Sequence, residues 1–265
     1  MESTIDYYRN KKESVYNAIL VIIGGLVWLG FLYFLAKLDT ADKSILPFLF
    51  MIGFYGGLFL FIFLITAVVF RANAMGNMIL IGENQFPELH QMVVDGAKKL
   101  GMREAPEAYI YNSNGVFNAF ATKVFGRKYL LLTSALVDAN DDEQVKFVIG
   151  HELGHHAAGH LGFFYRLIKL PAYIIPFLHS AYSRQCEYTC DKLGYHVSRD
   201  LEKSSTAIQM LACGCHRLNK KMSLFAFEQQ EAQVPPFWGF IAEIFRSHPR
   251  LTRRVLALKK VRLID

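Results

Sequence analysis

Two runs without a charged residue, Ala18 to Ala36 and Ile45 to Phe70, constrain this chain more than any other feature of it. A bilayer core of about 30 Å is crossed by roughly 20 helical residues, so each run is long enough to span. Only Lys37 to Ser44 lies between them, which predicts a transmembrane hairpin that returns the chain to the side it started from. No small-residue cleavage site separates the runs, so the first is expected to be retained and not removed as a signal peptide. Arg9, Lys11, Lys12 and Arg71 flank the hairpin on the shared side, against Lys37 and Lys43 in the loop. That small excess points the shared side to the cytoplasm. Gly24, Gly25 and Gly30, with Gly53, Gly56 and Gly57, offer small faces through which the spans can pack.

The apolar share of 52% is concentrated before Arg71, so the expected division is a tail and hairpin over 1–72 and a second domain over 73–265. In that second part, Pro87 to Leu100 carries Leu89, Met92, Val93, Ala97 and Leu100 on a helical period ended by Gly101. Glu107 to Tyr111, Val116 to Thr122 and Lys128 to Thr133 are short, rich in aromatic and branched residues, and separated by turn sequences, which predicts a small antiparallel sheet. Ser183 to Val197, Leu201 to Leu218 and Pro249 to Arg262 read as helices. Leu161 to Tyr182 is apolar but broken by Arg166, Lys169, Pro171, Pro176 and His179. It can lie along the membrane interface, pack into the soluble core or re-enter the bilayer, whereas prolines and cations disfavour a clean third span. The fold class expected is α+β, mainly α, with an N-terminal transmembrane hairpin.

The net charge of +6 is modest, and nothing resembles a nucleic-acid module. Arg250, Arg253, Arg254, Lys259, Lys260 and Arg262 read as a solvated helix face or a contact with anionic lipid headgroups. Cys186 and Cys190 have helical spacing and Cys213 and Cys215 stand too close for a zinc knuckle, so reduced thiols are expected in place of a four-cysteine zinc site.

Asp141, Asp142 and Glu143 supply the negative charge that favours a helix start. Inside the helix they open stands His151-Glu152-Leu153-Gly154-His155. On a helix the two histidines are one turn apart on one face, where both imidazoles reach a single metal ion, and Glu152 faces the reaction without being a ligand. A catalytic zinc ion usually takes three protein ligands, so a third must come from another helix. Glu187 is the preferred candidate and Glu202, at an exposed-looking helix start, its rival. Asp191, one turn after Glu187, is placed to accept the free ring N–H of His151 or His155, and Arg184, one turn before, to pair with either acid. His156 and His160 stand beside the site but out of phase for ligation.

These pieces together resemble the membrane-associated zinc metallopeptidases of the HtpX group, which also includes the CAAX prenyl proteases. The likeness is carried by Asn118-Ala119-Phe120-Ala121 with the strand near Tyr129 to Thr133, by His151 to His155 with Gly159-His160, by Arg184 to Asp191, and by Ser247-His248-Pro249 with Arg254. It covers roughly Phe86 to Leu258. It implies a zincin-like domain holding one Zn2+ per chain through His151, His155 and Glu187, with Glu152 as the proton-transferring carboxylate. It also implies that His248, oriented through Arg254, stabilises the oxyanion; the plainer reading of His248 is a residue held beside a helix start by Pro249. The group commonly has a second hydrophobic pair where this chain has Leu161 to Tyr182, which is too short for two spans. The function expected is an integral-membrane zinc endopeptidase of membrane-protein quality control in a bacterial inner membrane, its catalytic domain facing the cytoplasm. Its partners would be polypeptides, membrane or misfolded, and the lipid bilayer. Asn118 to Ala121, as an edge strand, would hold an extended substrate by main-chain hydrogen bonds. The alternative is a non-catalytic membrane-anchored scaffold, in which Glu152 would have no task.

Overall fold

The computed structural model describes residues 3–38, 45–219 and 221–264; residues 39–44, which include Lys43 and most of the loop expected between the spans, lie outside them. In chain order the elements are α1 (Thr4–Tyr8), α2 (Lys11–Lys37), α3 (Leu46–Asn77), β1 (Ile79–Ile81), α4 (Pro87–Lys99), β2 (Glu107–Tyr111), β3 (Ala119–Val124), β4 (Arg127–Thr133), α5 (Ser134–Ala139) and α6 (Asp142–Ala157). There follow α7 (Phe163–Lys169), a 3-10 turn (Leu170–Ile174), α8 (Leu178–Ser198), α9 (Leu201–Cys213), α10 (His216–Asn219), α11 (Leu224–Gln233), α12 (Pro236–Ile244) and α13 (Leu251–Leu258). The fold is mainly helical. Helices α2 and α3, at 27 and 32 residues, are each long and apolar enough to cross a membrane, and both extend past the uncharged runs that seed them.

The extensions tie the hairpin to the rest of the chain. Phe70 and Ala74, on the last turns of α3, pack under Tyr109, Tyr129 and Leu131 of the sheet. The alternate residues Ala108, Ile110, Leu130 and Leu132 face the other way, into a core with Val93 of α4, Ile149 and Leu153 of α6, and Leu193 of α8. Period-two alternation thus gives the sheet two covered faces, one on the membrane-helix extension and one on the helices that carry the chemistry. The sheet has four strands in the order β1-β2-β4-β3, which leaves β3 on an edge. It is mixed, not antiparallel throughout: β1–β2 and β3–β4 are antiparallel, but β2 and β4 run parallel with Ala108 opposite Leu130. Strand β3 returns as a hairpin on the outer side of β4, so β4 is free to pair with β2. Strand β3 also starts at Ala119 and not Val116, and β1 has no counterpart among the expected strands.

The glycines of the spans do not join the two helices. Gly25, Gly30, Gly53, Gly56 and Gly57 face open space, and Gly24 instead lies against α7, where an added Cβ would fall 2.1 Å from the Ile168 carbonyl oxygen. Close helix contact through glycine occurs elsewhere. At Gly150 of α6 a Cβ would meet Val197 at 2.7 Å, and at Gly194 of α8 one would meet the Phe147 carbonyl oxygen at 2.7 Å. The two backbones approach closely enough to hold side chains of α6 and α8 face to face. Helix α6 begins in a capping box, with Asp141 accepting from the Gln144 N–H and Gln144 from the Asp141 N–H, both at 3.0 Å.

Helix α1 is built into the core. The Tyr8 hydroxyl, on a buried ring, donates to His196 Nδ1 at 3.1 Å and accepts from the Ile264 N–H at 3.0 Å. Burial, aided by Arg199 and Lys99, pushes His196 down to about 4, so it is neutral in the fold and charges more readily when unfolded. A depressed folded value means stability that is complete above pH 6.5 and lost as pH falls from 6.5 toward 4. The distance between those values is worth roughly 3 kcal/mol. Denaturant midpoints measured across that window should fall steeply in the wild-type protein and less steeply in His196→Gln.

Candidate active site

Helix α6 presents His151 and His155 toward α8, and Glu187 of α8 comes between them. His151 Nε2 and His155 Nε2 each lie 3.5 Å from a Glu187 carboxylate oxygen. One ligand atom from each of the three lies within 4.8 Å of the others. Donors in a tetrahedral zinc shell at about 2.0–2.1 Å from the ion stand roughly 3.3–3.4 Å apart, so the two histidines and the carboxylate fit such an ion in chemistry and spacing. Glu202, the rival for the third position, is exposed at the start of α9 and is not in this group.

The charges around the group favour a cation. Asp191 accepts from His151 Nδ1 at 3.0 Å and is clamped by Arg254, whose Nε and Nη2 donate at 2.8 and 2.6 Å. Arg254 Nη1 also lies 3.3 Å from Glu187. Burial opposes ionisation of Glu187, yet hydrogen bonds from His151 and His155, with Arg254, hold it well below the usual carboxylate range. Burial likewise disfavours a charged His151, but the hydrogen bonds to Asp191 and Glu187 outweigh it and lift His151 to about 10. In the protein alone a proton supplies the positive charge that the two buried carboxylates demand. Of the two imidazoles that Asp191 could accept from, His151 and His155, the structure pairs it with His151.

His155 is held by different residues. Its Nδ1 lies 3.1 Å from His160 Nδ1, and His160 Nε2 lies 3.1 Å from Glu13, which is buried at the start of α2 and also accepts from Thr189 and Arg9. His156 points away from the site: its Nε2 donates to the Tyr129 carbonyl at 3.0 Å, and burial pushes it down to about 4. Arg184 does not pair with either acid. Its guanidinium donates to the carbonyls of Glu243, Ile244 and Arg246 at 2.9, 3.1 and 2.7 Å, where α12 ends and the chain turns away from it. Arg254 clamps Asp191 and Glu187 and does not orient His248, which is exposed and meets the site through Glu187, 3.4 Å from its Nε2.

Glu152 is buried beside the three candidate ligands. Burial raises it above the ordinary carboxylate value, against the pull of His151 and His155 and an N–H donated by Ala121. It faces a cleft of about 550 Å³ with Ala119, Phe120 and Ala121 of β3, His248, Lys169 at the end of α7 and Tyr173 in the turn after it. A second cavity of about 230 Å³ continues past His151 and Glu152 on the other side, with Asn118, Ala119 and Arg254 in its walls. Edge strand β3 therefore runs alongside both. His160 stands beside the site as its sequence position suggests, but sequence reasoning missed Glu13: a lone carboxylate 147 residues away, at the head of an apolar helix, carries no local signal.

The sequence matches Peptidase family M48 over residues 83–170 and 162–262. It is 26% identical to the plastoglobule-localized metallopeptidase 48, chloroplastic, of Arabidopsis thaliana over 62% of this chain and 52% of that protein. It is 34% identical to a protease HtpX homolog of Bacillus licheniformis over 53% of this chain and 48% of that one, so the matches to these two span about half the length of each relative. Protease HtpX of Psychrobacter sp. is 25% identical over 93% of both chains. The crystal structure of S. mikatae Ste24p superposes with a TM-score of 0.48 and 18% identity, covering 87% of this chain and 66% of that one. The chain belongs to peptidase family M48, as an HtpX-like metallopeptidase.

Proposed function

We propose that the chain is an integral-membrane, zinc-dependent endopeptidase. The observation that carries this reading is Glu152, buried with a raised carboxyl beside three residues that fit a zinc ion, in a cleft bordered by an edge strand. His151, His155 and Glu187 would hold a zinc ion, which would supply the Lewis acidity that brings the pKa of a water toward about 7 and polarises a carbonyl. The Glu152 carboxylate takes the proton of the water that adds to the carbonyl carbon, and passes it to the amine nitrogen as the C–N bond breaks. His248 Nε2–H donates to the oxygen on which negative charge develops. Asp191, fixed by Arg254, keeps the His151 proton on Nδ1 and leaves Nε2 free to bind.

Main-chain groups on the free edge of β3, within Ala119 to Ala121, hold the substrate extended, while Asn118 is bonded to Thr133 through both its N–H and its carbonyl. Flexible or unfolded segments are therefore favoured over a particular sequence. That selectivity suits quality control of membrane proteins. Residues 73–265 form the peptidase domain, 1–72 the tail and hairpin, and Arg9, Lys11, Lys12 and Arg71 set the domain on the cytoplasmic face of a bacterial inner membrane. The test is made on detergent-purified full-length chain with an unfolded casein as substrate. Chelation should abolish cleavage and one equivalent of zinc should restore it; cleavage that persists in metal-free protein overturns the proposal.

A further inference from the structure

We infer that Phe163 to Phe177 and the aromatic face of α12 form a ledge that docks into the bilayer on the domain side. The inference rests on the reading of α2 and α3 as membrane spans. Two independent contacts give the depth. Gly24 of α2 lies against Ile168 and Lys169, six residues inside the run that begins at Ala18, and the Phe63 ring of α3 meets Phe163 at a tilt with centroids 5.7 Å apart, seven residues before the second run ends at Phe70. At 1.5 Å per residue both place α7 about 10 Å below the same boundary. Trp28 Nε1 also donates to the Leu167 carbonyl at 3.0 Å, a second bond beside that from the Leu170 N–H, and so ties α2 to the end of α7.

The exposed side chains at this level suit lipid. Phe164 is 76% and Ile174 87% exposed, and neither has a protein partner that hides it. Lys169 fits because its ammonium turns away from the depth of its own Cα, toward Asn17 at 3.2 Å near the polar end of α2 and over the Tyr182 ring. Helix α12 continues the ledge at a shallower level: Phe245, just after it, meets Phe177 at 4.7 Å, while Phe237, Trp238 and Phe240 are exposed. Aromatic residues at that level suit the headgroup boundary. The consequence for the cleft is direct, since Lys169 and Tyr173 are part of its wall: one side of it is made by the segment that enters the bilayer.

Single-tryptophan proteins in phosphatidylcholine vesicles with brominated acyl chains test this. The three are Trp28 alone, Trp238 alone, and Phe164→Trp with Trp28→Phe and Trp238→Phe. All three should be quenched by the bromolipid and shielded from aqueous iodide, with Trp238 responding most to bromines near the headgroup. Iodide quenching of position 164 or 238, or shielding of either from both quenchers by a protein partner, overturns the ledge while Trp28 still reports lipid. A Trp28 that escapes the bromolipid overturns the span reading and the ledge together.

A separate observation assigns Glu13 and His160 as positioning residues for His155. This rests on the zinc reading. With Nε2 of His155 given to the ion, its Nδ1–H donates to His160 Nδ1, and His160 Nε2–H donates to Glu13, each at 3.1 Å. Each ring has one tautomer in this chain, so His155 gains through His160 the carboxylate support that His151 gains directly from Asp191. The assay is competition for zinc with a chromophoric chelator on folded, purified protein. His160→Leu and Glu13→Gln should weaken binding by about 10- to 100-fold, and His160→Gln, which can still accept and donate, should recover most of the loss. Wild-type affinity in both His160→Leu and Glu13→Gln overturns the relay; a wild-type protein that binds no zinc overturns the site reading beneath it.

Discussion

Glu187→Ala is expected to leave the purified protein without a stoichiometric metal ion and without measurable peptide cleavage. Glu187 is the one anion among the three candidate ligands, and its oxygens lie 3.5 Å from both imidazoles. Removing it takes away one donor and leaves two histidines, which do not complete a catalytic zinc site. Loss of an outer partner of a metal ligand costs about 10- to 100-fold in affinity, so loss of a ligand itself should exceed that range. Metal analysis after dialysis against a weak chelator reads the effect. Retention of one zinc per chain in Glu187→Ala would move the third ligand elsewhere.

Arg254→Met should destabilise the fold by about 3–5 kcal/mol, the range for breaking a buried ion pair from one side. Asp191 and Glu187 are both buried and both bonded to this guanidinium, so the variant leaves two buried carboxylates without their counter-charge. Metal offsets part of the loss, because it supplies positive charge to Glu187. The shift should therefore be larger in chelated than in zinc-loaded protein, and thermal unfolding of both forms measures it. Equal and small shifts in the two forms would show that Arg254 is not the counter-charge of the site.

What was legible in the sequence follows the range of each interaction. His151 and His155 are a helical pair, Glu187 and Asp191 another, and spacing within one helix puts each pair on a face. The spans were legible because uncharged runs of that length have few alternatives. Pairings between distant segments were not. Alternation marks β2 and β4 as strands but does not choose a neighbour, so the parallel ladder was missed. Arg184 has the right helical phase for Glu187, yet the carbonyls at the end of α12 compete for it, and nothing near residue 184 announces them. Gly150 and Gly194 are ordinary in the sequence and become meaningful only where α6 and α8 touch. Glu13 is the furthest case, a buried acid of α2 that reaches His160.

Glu152 is the group that moves the proton in the proposed mechanism, and one measurement reaches that directly. Zinc content and casein cleavage are determined on the same detergent-purified Glu152→Gln preparation. Glutamine keeps the size and the hydrogen bond from Ala121 but cannot take a proton. Full zinc occupancy with cleavage reduced by about 100- to 10,000-fold is the result expected. Full occupancy with unchanged cleavage would contradict it.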